Sequence, residues 1–258
     1  MELGLKGKVA IVTGGGRGIG EAICLAFADE RTHIVVSDID FENAKGVAEK
    51  IRAMGVKAIP AKTDVSRPEE AKKLIEMAVN ELERLDILVN NAGISPKKQG
   101  GGPAMTWEIG LEEWDSVMGV NLKGTLFCSQ EAVRHMLLKK SGAIVNIASI
   151  AGKAPFEPMA TGAHYDASKA AIINLTQRLA SEVAEHGIRI NAVAPGRIAT
   201  PMAKFASKEW NQAMLARTPM GRFGTPEEIA NLVVFLASDA ASYITGETVN
   251  INGGWFMD

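Results

Sequence analysis

Short apolar runs recur along the chain, each bounded by glycine or polar residues. They are Val9-Ala10-Ile11-Val12, His33–Asp38, Lys57–Lys62, Asp86–Asn90, Ala143–Ala148, Arg189–Ala194 and Thr248–Ile251. Runs of this length, rich in Val, Ile and Ala, suit strands buried on both faces of a sheet. Between them lie longer stretches of helical periodicity: Glu21–Ala28, a segment opening at Phe41, one running to about Glu81, Glu112–Lys139, one carrying Tyr165 to about His186, an excursion within Ile198–Thr218, and one opening near Thr225. Ser66-Arg67-Pro68-Glu69 and Thr225-Pro226-Glu227-Glu228 both have capping-box form, the second with Pro at the first helical position. Strands alternating with helices predict an α/β fold: seven mostly parallel strands with helices on both faces. Residues 94–111, with Ser95-Pro96 and Gly100-Gly101-Gly102-Pro103, predict a surface loop, and Pro155 and Pro158 mark another before Tyr165.

Composition narrows the class without changing that picture. At 258 residues the prior is one larger α/β domain spanning 1–258, and 47% hydrophobic residues suffice for a large core. A net charge of -2 gives no electrostatic case for nucleic acid or an anionic membrane. Cys24 and Cys128, far apart in apolar helical contexts, read as buried hydrophobes, and no paired-cysteine metal motif is present. No metal site is expected. The first residues lack the apolar core of a secretory signal, and no run approaches the length of a membrane span, so the expectation is a cytoplasmic protein.

The first strand runs into Thr13-Gly14-Gly15-Gly16-Arg17-Gly18-Ile19-Gly20, and a helix follows. Glycines permit a sharp turn and close approach of a pyrophosphate, while the helix N-terminus supplies N–H groups and the positive dipole end. Strand, turn and helix thus form a dinucleotide-binding unit, the start of a Rossmann-type doubly wound sheet. Asp38 ends the second strand about 20 residues after the turn, where a carboxylate accepts hydrogen bonds from adenosine ribose hydroxyls. The other reading of Asp38 is a helix N-cap, a job Asp40 can do instead.

Tyr165 and Lys169 stand four residues apart, on one face of a helix. A free tyrosine titrates near ~10 and a nearby ammonium favours phenolate, so Lys169 is expected to draw the Tyr165 pKa down. A tyrosine so tuned takes a proton from an alcohol or gives one to a carbonyl. Ser149 ends the fifth strand, at the carboxyl edge where ligands bind in open α/β sheets. Asn121, a poor interior helix residue, points to a local distortion or a buried polar task. His164 either touches substrate or is an ordinary residue of the helix start.

Together, Thr13-Gly14-xxx-Gly18-x-Gly20, Asp64, Asn90-Asn91-Ala92-Gly93, Asn121, Ser149, Tyr165-xxx-Lys169, Pro195-Gly196 and Thr200 resemble, in order, the pattern of the classical short-chain dehydrogenase/reductase family. The resemblance covers essentially the whole chain. It implies Tyr165 as acid/base and Lys169 as the group that lowers its pKa and holds the nicotinamide ribose. It implies Ser149 as partner of the substrate oxygen and Asn121 as anchor of a water in a proton relay. It implies a cofactor site from Gly14, Arg17, Gly18, Ile19, Gly20 and Asp38, with Asp64 and Val65 bounding the adenine. Asn91, Ala92 and Gly93 would line the crevice, and Pro195, Gly196, Ile198 and Thr200 would meet the nicotinamide side. A homotetramer is implied as well.

Two intervals depart from the usual pattern. The loop after Gly93 and the stretch from Ser149 to Tyr165 are longer than in common members, and both border the substrate side. The main functional expectation is interconversion of a small-to-medium secondary alcohol and its ketone, beneath a cover of Met202, Phe205 and Met214. The alternatives are reduction of a 3-oxoacyl thioester with NADPH, which Met220–Glu227 resembles, and a nucleotide-sensing protein without turnover. For the cofactor, Asp38 would repel the 2′-phosphate of NADP, while Arg17 reaches the pyrophosphate of either dinucleotide. NAD(H) is therefore the expectation.

Overall fold

The computed structural model describes residues 2–98, 102–154, 161–200 and 208–258, with side chains in the last stretch from 211 onward. Seven strands form one sheet: β1 (Val9–Thr13), β2 (His33–Asp38), β3 (Ala58–Lys62), β4 (Ile87–Asn90), β5 (Gly142–Ile147), β6 (Ile188–Pro195) and β7 (Thr248–Ile251). Their order is β3-β2-β1-β4-β5-β6-β7, and every pairing is parallel. The chain therefore works outward from β1 to one edge, then returns to β4 and works outward to the other. Pro60 lies in β3, an edge strand with a single neighbour, where a missing N–H is tolerated.

The helices are α1 (Gly18–Asp29), α2 (Phe41–Ala53), α3 (Pro68–Leu82), α4 (Leu111–Val117), α5 (Gly124–Lys139), α6 (Ala163–Val183), α7 (Lys208–Ala216) and α8 (Pro226–Ala237). They cover both faces of the sheet because alternate strand residues point to opposite sides. Ala10, Val12, Ile34 and Val36 pack with Ile23, Phe27 and Val233 of α1 and α8. Val9, Ile11 and Val35 pack with Leu74, Ile75 and Met136 of α3 and α5. All five residues of β1 are buried, as the unbroken apolar run predicts. Each fully buried side chain of this size contributes roughly 1.5–3 kcal/mol.

The helix starts resolve three expectations. Thr225 and Glu228 form the predicted capping box, with Pro226 in the first turn. Asp40 caps α2, accepting from the backbone N of Glu42 and Asn43 at 3.0 and 3.2 Å, so Asp38 is not that cap. Ser66 does not cap α3. The N-cap is Arg67, and the Ser66 hydroxyl donates to Asp64 Oδ1 at 2.6 Å. The hydroxyl is oriented toward the nearby carboxylate, a charged acceptor that makes the stronger bond, instead of serving as acceptor for a helix N–H.

The stretch Glu112–Lys139 is helical but not uniform: Met118–Lys123 forms a π-helical turn between α4 and α5, with Asn121 inside it. In the Ile198–Thr218 segment the described helix is α7. Met202 and Phe205, the Trp210 side chain, Gly100 and Gly101, and the Pro155–Ala160 stretch with Phe156, Pro158 and Met159 lie outside the described residues.

Candidate active site

The order of strands reverses between β1 and β4, and their carboxyl ends open the crevice where α/β sheets bind ligands. The predicted residues meet there. The Thr13 hydroxyl accepts from the backbone N of Asn91 and Ala92 at 3.0 and 3.1 Å, and the Asn91 amide donates to the carbonyls of Thr13 and Gly14 at 3.0 and 2.9 Å. Asn91 thus staples the glycine turn to the end of β4. Gly14 and Gly18 hold φ of +61° and +57°, a region costly for residues with a Cβ. At Gly20 a Cβ would fall 2.0 Å from the Gly14 carbonyl oxygen, so only glycine lets α1 sit against the turn.

Arg17 is the N-cap of α1 and is exposed, and no side chain caps the helix. The first-turn N–H groups around Ile19 are left for another acceptor. Asp38 reaches across from β2: its Oδ2 accepts from Gly16 N at 2.9 Å and its Oδ1 from Asp40 N at 3.0 Å. The carboxylate therefore borders the glycine turn. Asp64 is held by Ser66 and by Arg67 at 3.4 Å, and its backbone N donates to Glu70 Oε2 at 2.7 Å. Val65 packs so closely beneath Gly124 that a Cβ there would lie 2.7 Å from Val65 Cγ2.

At the other side of the crevice, Ser149 ends the segment after β5 and caps a short 3-10 turn, its hydroxyl accepting from Ala151 N at 3.1 Å. The same side chain hydrogen-bonds the Tyr165 hydroxyl. Lys169, buried one turn along α6, donates from Nζ to the Ile147 carbonyl at 2.6 Å. Among the described residues that is its one acceptor, leaving two N–H hydrogens of a buried ammonium for another partner. A Cβ on Gly93 would lie 3.4 Å from Asn121 Oδ1 and 3.7 Å from Lys169 Nζ, so these three residues converge on one point.

The buried Asn121 has the polar task and the distortion together. Its Oδ1 accepts from Ile94 N at 2.8 Å, and its Nδ2 donates to the Ile94 carbonyl at 3.1 Å and to Ser168 Oγ at 3.0 Å. The side chain is committed to protein partners and ties the loop after Gly93 to α6. Near the end of the sheet, Pro195 ends β6 and Gly196 donates to the Ile251 carbonyl at 2.9 Å. Ile198 bridges Gly224, and Thr200 donates back to the Ile198 carbonyl at 2.9 Å.

The electrostatics correct one expectation. The Tyr165 phenol is not drawn down: burial pushes it up to about 12, against the smaller lowering effect of its bond to Ser149. Burial also pulls the Lys169 ammonium down to about 8. Its Nζ stands 5.6 Å from the centre of the Tyr165 ring. Loss of water disfavours both charged forms and dominates here. Spacing along the sequence reveals a pair of groups but not the burial that decides their balance.

Thr13 is legible in sequence only as the first residue of the glycine motif, and Glu113 carries no signal there at all. Glu113 meets buried His164, Nε2 to Oε1 at 2.8 Å, across 51 residues. Among the described residues there is no cluster of metal-ligating side chains and no helix long and apolar enough to cross a membrane.

The family described as "Enoyl-(Acyl carrier protein) reductase" matches residues 14–256. A curated relative from Aquifex aeolicus (strain VF5), named "3-oxoacyl-[acyl-carrier-protein] reductase FabG", is 41% identical over 257 residues, covering 99% of this chain and 100% of its own. The structure of a short-chain type dehydrogenase/reductase from Mycobacterium marinum superposes with a TM-score of 0.93 at 33% identity, over 100% of this chain and 98% of that one. A 3-oxoacyl-[acyl-carrier protein] reductase from Brucella melitensis, solved with bound NAD, superposes with a TM-score of 0.90 at 37% identity, covering 100% of this chain and 95% of the other.

Proposed function

Because the chain belongs to the short-chain dehydrogenase/reductase family and is an oxidoreductase acting on CH–OH groups, we propose that it reduces a 3-oxoacyl thioester with NADH, using Tyr165 as the acid. The observation that carries the reading is the convergence of Ser149, Tyr165 and Lys169 at the crevice mouth. The relatives' names move the substrate from the free secondary alcohol expected from the sequence toward the thioester.

The residues present fit a nicotinamide dinucleotide. Gly14, Arg17, Gly18, Ile19 and Gly20 offer a cradle and an uncapped helix start for the pyrophosphate. Asp38, bordering that turn, suits a ribose with free hydroxyls and repels a 2′-phosphate, which carries about -1.5 to -2 charge. Asp64 and Val65 bound the adenine end, and Asn91, Ala92 and Gly93 form the crevice wall. Pro195, Gly196, Ile198 and Thr200 bound the nicotinamide side. The two spare N–H hydrogens of Lys169 suit the second ribose. When bound, the cofactor supplies the hydride.

The protein's part is proton management. Ser149 orients the substrate carbonyl and stabilises charge growing on its oxygen. Raised to about 12 by loss of water around its half-buried ring, the phenol of Tyr165 stays protonated, the form that donates in the reducing direction. Asn121 holds the loop after Gly93 against α6, fixing the wall beside Lys169. Assembly as a homotetramer belongs to the same proposal, and a monomer in light scattering would overturn it.

The test is initial-rate measurement with a short 3-oxoacyl thioester, a panel of secondary alcohols and ketones, and both dinucleotides at equal subsaturating concentration. The expected result is fastest turnover of the thioester with NADH, and loss by about 10² or more in Tyr165→Phe with NADH binding intact. Near-normal turnover in Tyr165→Phe refutes the role of the phenol. Faster turnover of a simple ketone refutes the thioester.

A further inference from the structure

Gly162-Ala163-His164-Tyr165 opens α6, and the His164 side chain is completely buried one residue before the phenol. Its Nδ1 lies 2.9 Å from the Tyr165 backbone N, whose N–H is shared with the Gly162 carbonyl, also at 2.9 Å. A ring nitrogen that accepts carries no proton, so the proton resides on Nε2 and is donated to Glu113 Oε1 at 2.8 Å. Gly162 makes room for this ring, since a Cβ there would fall 2.4 Å from His164 Cε1. The opposite end of Tyr165 is held too. Ser168 Oγ donates to its carbonyl at 2.7 Å and accepts from Asn121.

We infer that Glu113 and His164 are a positioning pair that fixes Tyr165 against Ser149 by bolting α4 to the first turn of α6. This rests on the acid/base role proposed for Tyr165. A cap for the helix start would need only a hydroxyl or carboxylate at the N-cap, yet that position is Gly162 with no side chain to offer. Instead an imidazole inside the first turn takes the N–H of the reacting residue itself. Its second nitrogen is anchored to an acid on a different helix, which fixes ring orientation as well as satisfying a donor. Tyr165 is thereby gripped at its N–H and its carbonyl, by pairs that reach α4 on one side and the π-helical turn on the other.

The chain has two tyrosines, and the other, Tyr243, is fully exposed, so Tyr243→Phe leaves Tyr165 as the sole phenol. In that background His164→Phe removes both bonds. His164→Asn keeps an acceptor near the Nδ1 position and loses Glu113. Glu113→Gln keeps an acceptor for Nε2–H, whereas Glu113→Ala does not. The expected result for His164→Phe is a fall in kcat on the order of 10- to 100-fold with the KM for NADH unchanged, the scale of a misplaced reacting group. His164→Asn and Glu113→Ala should fall less, and Glu113→Gln should recover most of the Glu113→Ala loss. Glu113→Ala added to His164→Phe should cost nothing further, because the two act as one unit.

A second readout does not depend on turnover. The phenol, observed by NMR of labelled tyrosine, should titrate differently in His164→Phe than in the parent, because contact with Ser149 and loss of water together set its proton affinity. Lower melting temperature with unchanged kcat and unchanged titration would make the pair merely structural and overturn the inference. If His164→Phe does not fold, His164→Asn and Glu113→Ala give the same two readouts. Retained turnover in Tyr165→Phe would sink the acid/base role alone, and the titration would still decide whether the pair positions the phenol.

Discussion

Lys169→Met isolates the most perturbed cation of the site. The ammonium is 4% exposed and its pKa falls from the ordinary 10.5 to about 8 through burial. At 1.36 kcal/mol per pH unit, that difference corresponds to about 3 kcal/mol. The sign follows from proton counts. Below pH 8 folded and unfolded chains both hold the proton, and the folded state bears the whole burden of a buried charge. Between about 8 and 10.5 the unfolded chain still binds a proton that the folded chain has released, so stability rises with pH. Tyr165 acts oppositely and later: its phenol, raised to about 12, makes the folded state lose stability only above its ordinary 10.0. Methionine fills a similar volume without a charge, so the stability of the parent minus that of Lys169→Met removes most other titrations. Guanidinium unfolding of both proteins at pH 7, 8, 9 and 10 should show this difference rising by about 2–3 kcal/mol. By melting, that is a relative gain of several degrees for a chain of this size. A flat or falling difference would mean that Nζ is well solvated or firmly paired, and the account of its burial would be wrong.

Two further outcomes test the cofactor side. Asp38→Ala removes the carboxylate proposed to meet the ribose together with its bond to Gly16, so NAD(H) binding should weaken while NADP(H) is admitted; calorimetric titration with each dinucleotide checks this, and unchanged discrimination would place Asp38 away from the ribose. Gly20→Ala puts a Cβ 2.0 Å from the Gly14 carbonyl, so the turn must shift and dinucleotide affinity should fall at least tenfold, equivalent to about 1.4 kcal/mol; normal NADH binding by fluorescence would show that the turn tolerates the change.

Much of this fold is written locally. The seven apolar runs became seven strands, with ends displaced by about a residue, because burial on both sheet faces leaves little room for polar side chains. Gly14, Gly18 and Gly20 announced a turn whose backbone excludes other residues, and four-residue spacing placed Tyr165 and Lys169 on one helix face. These features depend on neighbours in sequence, so sequence determines them.

Tertiary structure decided what depends on distant partners. The strand order put Asp38 beside Gly16 and Thr13 beside Asn91. Sequence pointed to a polar task for Asn121, but its partners, Ile94 and Ser168, arrive from other segments of the fold to use its amide. Ser66 had the pattern of a cap, but Asp64, folded back on it, took its hydroxyl. His164 gained its anchor from Glu113 on a separate helix. The phenol shows the division most plainly. Sequence supplied Tyr165 and its lysine, and their attraction alone pointed to a lowered pKa. The packed fold removed the water that stabilises either charge, and desolvation, which no local pattern encodes, turned the shift upward.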